Sequence, residues 1–287
     1  MKGTILKGIS GFYYVLCDGD LYECKARGIF KKRGITPLAG DEAEIELSSD
    51  GAATVTEIYS RLNSFDRPPA ANVKTMVVVM SAVHPDIDFT LLDRFIINAE
   101  YNKAKPMICI TKIDLADESL LCEIERCYKG LYPVFFVNGK TGDGTDALKN
   151  ALAGTQAALA GPSGAGKSTL INILAEHAGS ITGDISQKSM RGKNTTRHTE
   201  LFIADGFSVF DTPGFTSFDA EGIPKEDLQH FYPEFAEHLG KCRFDDCMHI
   251  KEPDCSVRSA VTDGRISQRR YQSYLDLYKV MSENEKY

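Results

Sequence analysis

The chain has 287 residues, of which 43% are hydrophobic and 25% charged, and its formal net charge at pH 7 is -7. These shares are ordinary for globular proteins and exclude a disordered or fibrous chain, while the length predicts about two domains with room for a small third module. No apolar run approaches the ~20 residues that a membrane span requires, and the first ten residues lack the apolar stretch of a signal peptide. We therefore expect a cytoplasmic protein with no membrane partner. The negative charge argues mildly against a nucleic-acid partner unless Lys and Arg are clustered locally.

Residues 1–68 are predicted to form a small β-barrel. Short runs of alternating hydrophobicity, separated by glycines at turn-like spacing, are typical of a five-stranded barrel of the oligonucleotide-binding (OB) type. The predicted strands are Gly3–Ile9, Phe12–Cys17, Asp20–Lys25, Ala43–Leu47 and Ala53–Tyr59. The loop Lys25–Arg33 carries five basic residues around Phe30 and no acid. It is either a surface that faces RNA phosphates or a solvated basic loop, and the sequence favours neither.

A second domain, of the α/β type, is predicted for residues 69–222. The segment 61–73, with its proline pair and polar character, is typical of a domain boundary. Because strands that are apolar throughout are buried on both faces, the runs that follow predict a parallel sheet covered by helices. The strand-like runs are Thr75–Met80, Pro106–Ile110 and Pro133–Val137, and the helix-like segments between them are Leu91–Tyr101, Glu118–Lys129 and Asp143–Leu152.

The segment GPSGAGKS at Gly161–Ser168 matches the phosphate-binding loop G-x-x-x-x-G-K-[ST]. It lies between the apolar run Ala157–Ala160 and the helix-like segment Lys167–Ala178, which is the context that this motif requires. Its backbone N–H groups are expected to wrap phosphates, the Lys167 ammonium to contact the β- and γ-phosphates, and the Ser168 hydroxyl to bind Mg²⁺. The residues expected to contact the nucleotide are Gly161, Pro162, Ser163, Gly164, Ala165, Gly166, Lys167, Ser168 and Thr169.

A second phosphate-site motif, DTPG, begins at Asp211 after the strand-like run Phe207–Phe210. Asp211 is expected to hold the Mg²⁺ shell and the Gly214 N–H to sense the γ-phosphate. Between the two motifs, the polar segment Ser186–Thr199 is typical of a loop that a ligand orders, and Thr196 is the predicted second hydroxyl ligand of Mg²⁺.

A guanine-type motif precedes the phosphate loop in the chain. Thr111, Lys112, Ile113 and Asp114 follow a predicted strand, where [NT]-K-x-D would place a carboxylate that accepts from the guanine N1–H and 2-amino groups. Adenine would leave that carboxylate unpaired, at a cost of about 1–3 kcal/mol. The alternative is an ordinary strand-to-helix loop. After the next strand, Asn138, Gly139 and the following residues to Gly142 occupy the place of the loop that closes over the base.

The motif order is therefore circularly permuted, since Asp114 comes before Lys167. A sheet does not require its strands in one chain order, because packing fixes their places. The permutation places the segment after Asp211 next to the C-terminal module, residues 223–287, so nucleotide state could be passed to that module mechanically.

The eight cysteines divide into two groups. Cys17, Cys24, Cys109, Cys122 and Cys127 are scattered and are predicted to be reduced thiols. Cys242, Cys247, His249 and Cys255 form C-x₄-C-x-H-x₅-C, which predicts a tetrahedral zinc site with no open position and hence a structural role in a mostly helical module. Beyond it, Arg269, Arg270, Tyr271 and Tyr274 lie in the helix-like stretch Ile266–Val280 and are predicted either to touch RNA or to form a solvated helix face.

Taken together, these motifs resemble the circularly permuted, small-ribosomal-subunit-dependent GTPases of the RsgA (YjeQ/YloQ) family. The resemblance covers nearly the whole chain. Besides the motifs above, it includes RPPAAN at 67–72, LLDRF at 91–95, CRFDDCMHIKEPDC at 242–255 and RRYQSYLDL at 269–277. It implies a barrel, a permuted GTPase domain and a zinc domain, with GTP or GDP, Mg²⁺ and one Zn²⁺ as ligands. It also implies rRNA binding, a role in late maturation of the small ribosomal subunit, and slow GTP hydrolysis that the subunit stimulates. A monomer is expected.

One position departs from that family, whose loop usually reads G-[RK]-H-T-T. Asn194 stands where the family has a histidine, and asparagine can orient a water but cannot accept its proton. Phe215 stands where many GTPases have a water-positioning glutamine. The predicted hydrolytic residues are therefore Lys167 and Thr196, with the water placed by Asn194, by His198 or by a group of the ribosome. The rival functions are an ATP-dependent P-loop enzyme and a non-catalytic RNA-binding assembly factor for which GTP is only a structural ligand.

Overall fold

The fold was analysed in a computed structural model that describes residues 1–66, 68–175, 199–204, 206–215 and 222–284. Within these ranges, strands β1–β5 form the N-terminal barrel, β6 and β7 a small hairpin, and β8–β13 the central sheet. The barrel strands are β1 (Lys2–Ile9), β2 (Phe12–Cys17), β3 (Asp20–Ala26), β4 (Glu42–Leu47) and β5 (Ala53–Ile58). The other strands are β6 (Ser64–Asp66), β7 (Pro69–Ala71), β8 (Thr75–Ser81), β9 (Lys105–Thr111), β10 (Val134–Val137), β11 (Gln156–Ala160), β12 (Glu200–Ala204) and β13 (Phe207–Phe215).

The helices follow the predicted alternation, with ends that differ by a few residues from those expected. They are α1 (Gly28–Lys32), α2 (Phe89–Tyr101), α3 (Glu118–Tyr128), α4 (Thr145–Leu152), α5 (Lys167–Ala175), α6 (Ser256–Thr262) and α7 (Gln268–Asn284). Short 3₁₀ segments lie at Ile113–Leu115, Lys225–Phe231 and Pro233–Phe235. None of the helices in the described ranges is both long enough and apolar enough to span a bilayer.

The five-stranded barrel is confirmed, and it closes. Its strands pair in the order β1-β2-β3-β5-β4, and β4 pairs back with β1. The predicted basic loop differs from expectation, because its residues 28–32 form α1 and its aromatic residue, Phe30, is buried among the barrel core residues. Lys25, Arg27 and the basic run 31–33 stay exposed. The surface is therefore basic, and the ring of Phe30 is not available for stacking.

Strand β8 shows why the central sheet forms. All seven of its residues are buried, and alternate residues enter different cores. Met76, Val78 and Met80 pack with residues of α2 and α3, while Val77 and Val79 pack with residues of α4 and α5. A strand with apolar side chains on both faces requires cover on both faces, and the helices supply it.

The central sheet has the order β10-β9-β8-β11-β13-β12. Strands β8, β9, β10, β11 and β13 are parallel, as predicted, but β12 is antiparallel to β13. Only residues 205 and 206 connect these two strands, and so short a connection permits only an antiparallel hairpin. Strand β12 also pairs with β1, at Lys7 and Glu200, so the barrel continues the central sheet.

The predicted boundary segment 61–73 is a packed connector. Arg61 forms an ion pair with the buried Asp41 of the barrel at 2.7 Å. Asn63 exchanges two hydrogen bonds with the backbone of Val73, at 2.8 and 2.9 Å. Polar residues that indicated a domain boundary in the sequence form an ion pair with the barrel and satisfy backbone groups of the segment itself.

A buried charge cluster attaches the C-terminal module to the central domain. The Arg270 guanidinium of α7 donates to both carboxylate oxygens of Glu234, at 2.8 and 3.1 Å, and to Asp93 of α2. Arg270 is 1% exposed and Asp93 0%. The guanidinium also lies over the ring of Tyr232, 4.6 Å from its centroid, and over that of Tyr128 at 5.1 Å.

Substitution of Arg270 by Met should lower the free energy of unfolding by about 3–5 kcal/mol, because two carboxylates would stay buried without their cation. Arg269→Met is the matched control. Arg269 bonds to Glu123 at 2.9 Å, but its side chain is 49% exposed, so a loss of about 0–1 kcal/mol is expected. Urea unfolding followed by circular dichroism measures both variants. Equal losses for the two would contradict the role given to the cluster.

Candidate nucleotide and metal sites

The loops that carry the nucleotide motifs meet at one edge of the central sheet. Strands β9, β8 and β11 pair in parallel register, with Ser81 beside Thr111 and Val78 beside Ala160. Val137, the last residue of β10, pairs with Thr111. The phosphate loop, the Thr111–Asp114 segment and the loop after β10 therefore all leave the carboxyl ends of neighbouring strands, where α/β sheets bind ligands.

The backbone of the phosphate loop requires glycine at its first position. Gly161 has φ of 144°, and a Cβ there would lie 2.0 Å from the carbonyl oxygen of Val79. The Lys167 ammonium donates to the carbonyl oxygens of Gly161 and Pro162, at 2.7 and 2.8 Å. Burial lowers the pKa of Lys167 from its ordinary value. A half-buried ammonium that is held by two carbonyls of its own loop is already in place for an anion.

The phosphate loop and the guanine-type motif touch each other. The Thr111 hydroxyl donates to the carbonyl oxygen of Ala165 at 2.6 Å. Both residues are buried, at 5% and 0% exposure. Gly166 lies so close to the same threonine that a Cβ would stand 3.4 Å from its hydroxyl oxygen. This contact fixes the separation of two motifs that lie about 50 residues apart in the chain.

The guanine-type motif is shaped by two further contacts. Lys112 adopts a left-handed backbone, and its ammonium donates to the carbonyl oxygen of His84. The Asp114 carboxylate, whose side chain is 26% exposed, accepts from the Lys140 ammonium at 3.0 Å. Asn138 is 8% exposed, and its side-chain oxygen accepts from the Lys140 N–H at 2.9 Å, which folds the loop toward Asp114.

One cavity of about 200 Å³ joins these parts. Asp114 lines one part of it, and Gly166 and Thr169 of the phosphate loop line another. Its remaining lining residues are Thr111, Lys112, Leu115, Val137, Asn138, Gly139, Lys140, Leu170 and Ile173. Lys140 belongs to the loop that was predicted to close over the base, whereas the sequence prediction omitted Leu115, Val137, Leu170 and Ile173 from the site. Leu115 carried a signal in the sequence, since it is a large apolar residue directly after Asp114, and in the structure it is 53% exposed.

The residues predicted for the γ-phosphate side are described only in part. Asp211 lies in β13, which extends past the predicted end at Phe210 to Phe215 and includes Gly214. Burial raises the pKa of Asp211 above its ordinary value, and the nearby carboxylate of Glu200 raises it to a smaller extent. The exposed residues of the phosphate loop include Ser163 and Ser168. Asn194, Thr196 and His198 lie outside the described residues, as does the Ser186–Thr199 segment except for Thr199 itself.

The four predicted metal ligands are brought together. The ligand atoms of Cys242, Cys247, His249 and Cys255 all lie within 4.8 Å of one another. The His249 Nδ1 atom is 3.3–3.5 Å from the three sulfurs. On its other side the His249 Nε2–H donates to the Gln229 side-chain oxygen at 2.9 Å, which leaves Nδ1 free to bind a metal. Three thiols and an imidazole at these distances are compatible with zinc.

The surrounding residues hold the metal-binding loop from two directions. The Glu252 carboxylate accepts from the backbone N–H groups of Met248, Ile250 and Lys251. Although burial raises the pKa of Glu252, these N–H groups together lower it below its ordinary value. From α7, the Tyr271 hydroxyl donates to the His249 carbonyl oxygen at 2.7 Å.

This placement corrects the prediction for α7. Tyr271 and Tyr274 were expected either to touch RNA or to face solvent, but they are 7% and 0% exposed and belong to the core of the C-terminal module. Arg270 is also buried, and only Arg269 of that set stays on the surface. The other five cysteines are free thiols, as predicted, of which Cys122 alone is exposed.

A sheet edge that joins a guanine-type motif to a phosphate loop, with the guanine-type motif first in the chain, defines a circularly permuted P-loop GTPase. The chain belongs to the RsgA GTPase family, which it matches over residues 58–221, and it matches the RsgA N-terminal domain over residues 2–55.

Curated relatives and solved structures agree with this assignment. The chain is 45% identical to a Clostridium kluyveri protein and 42% identical to one from Clostridium acetobutylicum, over 100% of each chain. Both are named small ribosomal subunit biogenesis GTPase RsgA. YjeQ from Thermotoga maritima is 31% identical, with a TM-score of 0.84 and 98% of both chains covered. YloQ, described as a circularly permuted GTPase, is 35% identical with a TM-score of 0.83, and covers 99% of this chain and 95% of its own.

Substitution of Thr111 by Val should weaken GDP binding by roughly tenfold, because the buried Ala165 carbonyl would lose its donor and the phosphate loop its fixed distance from the guanine-type motif. The matched control is Thr155→Val. The Thr155 hydroxyl donates to the Leu152 carbonyl at 2.7 Å, but it precedes β11 at the opposite edge of the sheet. Isothermal titration with GDP measures both variants, and equal affinities for Thr111→Val and the unmodified protein would refute the link.

Proposed function

We propose that this GTPase acts as a switch in late maturation of the small ribosomal subunit and that the subunit stimulates its GTP hydrolysis. The observation that carries the nucleotide part is the single cavity lined by both Asp114 and the phosphate-loop residues Gly166 and Thr169. The names of the relatives supply the ribosomal part, since those proteins are small ribosomal subunit biogenesis GTPases. The protein is proposed to work in the cytoplasm, as a monomer.

Guanine is favoured over adenine by the carboxylate of Asp114. Guanine presents an N1–H and an amino group as a pair of donors, and a carboxylate accepts both. The Lys140 ammonium, 3.0 Å from Asp114, keeps that side chain beside the loop that covers the base. Adenine lacks this pair of donors and would form neither of these two hydrogen bonds with Asp114, which argues against an ATP-dependent enzyme.

Hydrolysis is proposed to proceed by in-line attack of water on the γ-phosphate. The Lys167 ammonium and the N–H groups of the phosphate loop stabilise the negative charge that develops on the phosphate oxygens. Ser168, Thr196 and Asp211 are the residues proposed to hold Mg²⁺, and the ion would supply positive charge to the phosphate oxygens. Asn194 or His198, or a group from the bound subunit, orients the attacking water.

The barrel is proposed to contact rRNA through its basic surface. Lys25, Arg27 and the run 31–33 are exposed around α1, while Phe30 faces the core. Such a surface binds phosphates electrostatically, so its RNA affinity should fall steeply with salt. A local basic patch would allow rRNA binding by a chain whose net charge is -7.

The Cys242, Cys247, His249 and Cys255 cluster is proposed to hold one structural Zn²⁺. All four positions of a tetrahedral shell are taken by protein atoms, so the site has no place for substrate. The ion would hold the 242–255 loop in one conformation. The hydrogen bond from the Tyr271 hydroxyl to the His249 carbonyl oxygen then fixes that loop against α7.

The purified protein should hydrolyse GTP slowly, and small ribosomal subunits should raise the turnover, because the subunit completes the placement of the attacking water. Phosphate release with and without subunits measures this. Fast hydrolysis that subunits leave unchanged would contradict the switch, and nucleotide-sensitive RNA binding without phosphate release would favour the non-catalytic alternative.

Turnover of Asn194→Ala and His198→Ala compares the two candidate water-positioning residues, and no loss in either would leave the role to the subunit.

Asp114→Ala should lower GDP affinity by about tenfold or more, since a charged acceptor is lost, while leaving weak ADP binding unchanged. The control is Asp117→Ala, which should change neither affinity. Asp117 lies three residues after Asp114, is exposed, and makes no side-chain hydrogen bond to the start of its helix. Competition of GDP and ADP for a fluorescent nucleotide measures both variants. Equal GDP affinity in the two variants would argue for the ATP-dependent alternative.

Gln229→Ala should lower zinc affinity by about 10- to 100-fold, because the His249 ring loses the acceptor that sets its tautomer. The control is Gln272→Ala, whose side-chain nitrogen donates to Asp276 at 3.0 Å on the surface of α7. Chelator competition with one equivalent of zinc measures the affinities. A zinc content below one ion per chain in the unmodified protein would contradict the proposal of a structural zinc site.

A further inference from the structure

Three charged residues lie in one row across the junction of the barrel and the GTPase domain. Lys7 of β1 pairs in register with Glu200 of β12, and Glu200 pairs in register with Asp211 of β13. The Lys7 ammonium lies 2.7 Å from a Glu200 carboxylate oxygen. The row therefore runs from a strand of the barrel to the residue proposed to hold the Mg²⁺ shell.

The row places two carboxylates opposite each other. Directly opposed residues of antiparallel strands present their side chains on the same face, about 4.5–5.5 Å apart at Cβ, and like charges in such a pair destabilise it. Glu200 and Asp211 form such a pair, and Asp211 is half-buried. The Lys7 ammonium supplies the positive charge that offsets this repulsion.

Lys7 is also unusually enclosed for a lysine. Its side chain is 11% exposed and that of Glu200 18%, and the ammonium lies over the ring of Tyr14 at 5.5 Å. Lysine is seldom buried to this degree without a partner. A side chain so enclosed is poorly placed to contact RNA phosphates. The role of Lys7 is therefore to be sought in its pairing with Glu200.

We propose that Lys7 is a positioning residue for GTP hydrolysis: it holds and neutralises Glu200, so that the Asp211 carboxylate keeps its place on β13, the strand that pairs with β11 ahead of the phosphate loop. The inference rests on the proposed role of Asp211 in binding Mg²⁺. Without Lys7, the unpaired Glu200 carboxylate repels Asp211 from that place. A residue of the RNA-binding barrel thereby sets the geometry of the nucleotide site.

The test is a double-mutant cycle on Lys7→Met and Glu200→Gln, with Lys7→Arg as the conservative variant. Lys7→Met should lower kcat by about tenfold and raise the Mg²⁺ concentration at which GDP binding is half-maximal. Lys7→Met/Glu200→Gln removes both charges and should bring both quantities to within about threefold of the unmodified protein. Lys7→Arg keeps the positive charge, so its kcat and its Mg²⁺ midpoint should also lie within about threefold of the unmodified protein.

The matched control is Lys2→Met. Lys2 lies in the same strand and pairs with Glu42 at 2.6 Å, but the two side chains are 60% and 51% exposed and the pair lies within the barrel. Lys2→Met should change neither kcat nor the Mg²⁺ concentration at which GDP binding is half-maximal.

A Mg²⁺ midpoint that Lys7→Met leaves unchanged, with a lowered thermal midpoint, would show that the pair only stabilises the junction and would overturn the inference. Failure of the double variant to recover would also overturn it. If the unmodified protein releases no phosphate from GTP, the proposed function fails, and the Mg²⁺ dependence of GDP binding across the same cycle still decides whether Lys7 positions Asp211.

Discussion

The position of β8 between β9 and β11 is the constraint on which the nucleotide site depends. Because β8 is buried on both faces, its place in the sheet is fixed by packing on two sides, and its parallel register aligns the carboxyl ends of its neighbours. One neighbour ends in Thr111 and the other leads into the phosphate loop. The hydrogen bond from Thr111 to Ala165 then closes the gap between them. Chain order does not enter this arrangement, and a permuted sequence can therefore build the same site.

Much of this was predictable from the sequence, for identifiable reasons. Apolar runs such as Thr75–Met80 indicated doubly buried strands, and the GPSGAGKS segment indicated a phosphate loop because its chemistry is carried by consecutive residues. The four-ligand cluster was predictable because metal ligands are confined to a few residue types. The limits 1–68, 69–222 and 223–287 for the domains, and the roles given to single site residues, stay predictions.

The features that the sequence did not reveal are those that depend on contacts between distant segments. No local pattern shows that β12 pairs with β1, because the contact joins residues 193 positions apart, Lys7 and Glu200. No local pattern distinguishes a solvated arginine from Arg270, whose partners Asp93 and Glu234 are far from it in the chain. Charge in a helix usually indicates a surface, and it was misleading here because the opposite charges arrive from two other elements.

The continuity of the sheet from β12 into β1 also bears on how the chain can be divided. A shortened chain that lacked the barrel would lose the pairing of β1 with β12 at Glu200, and backbone groups at that end of β12 would be open to pairing with other molecules. It would also uncover the core residues that Leu6 contacts from the barrel side. The barrel thus covers the Glu200 end of β12 and the core beside Leu6, and a GTPase domain expressed alone is expected to self-associate more readily than the whole chain.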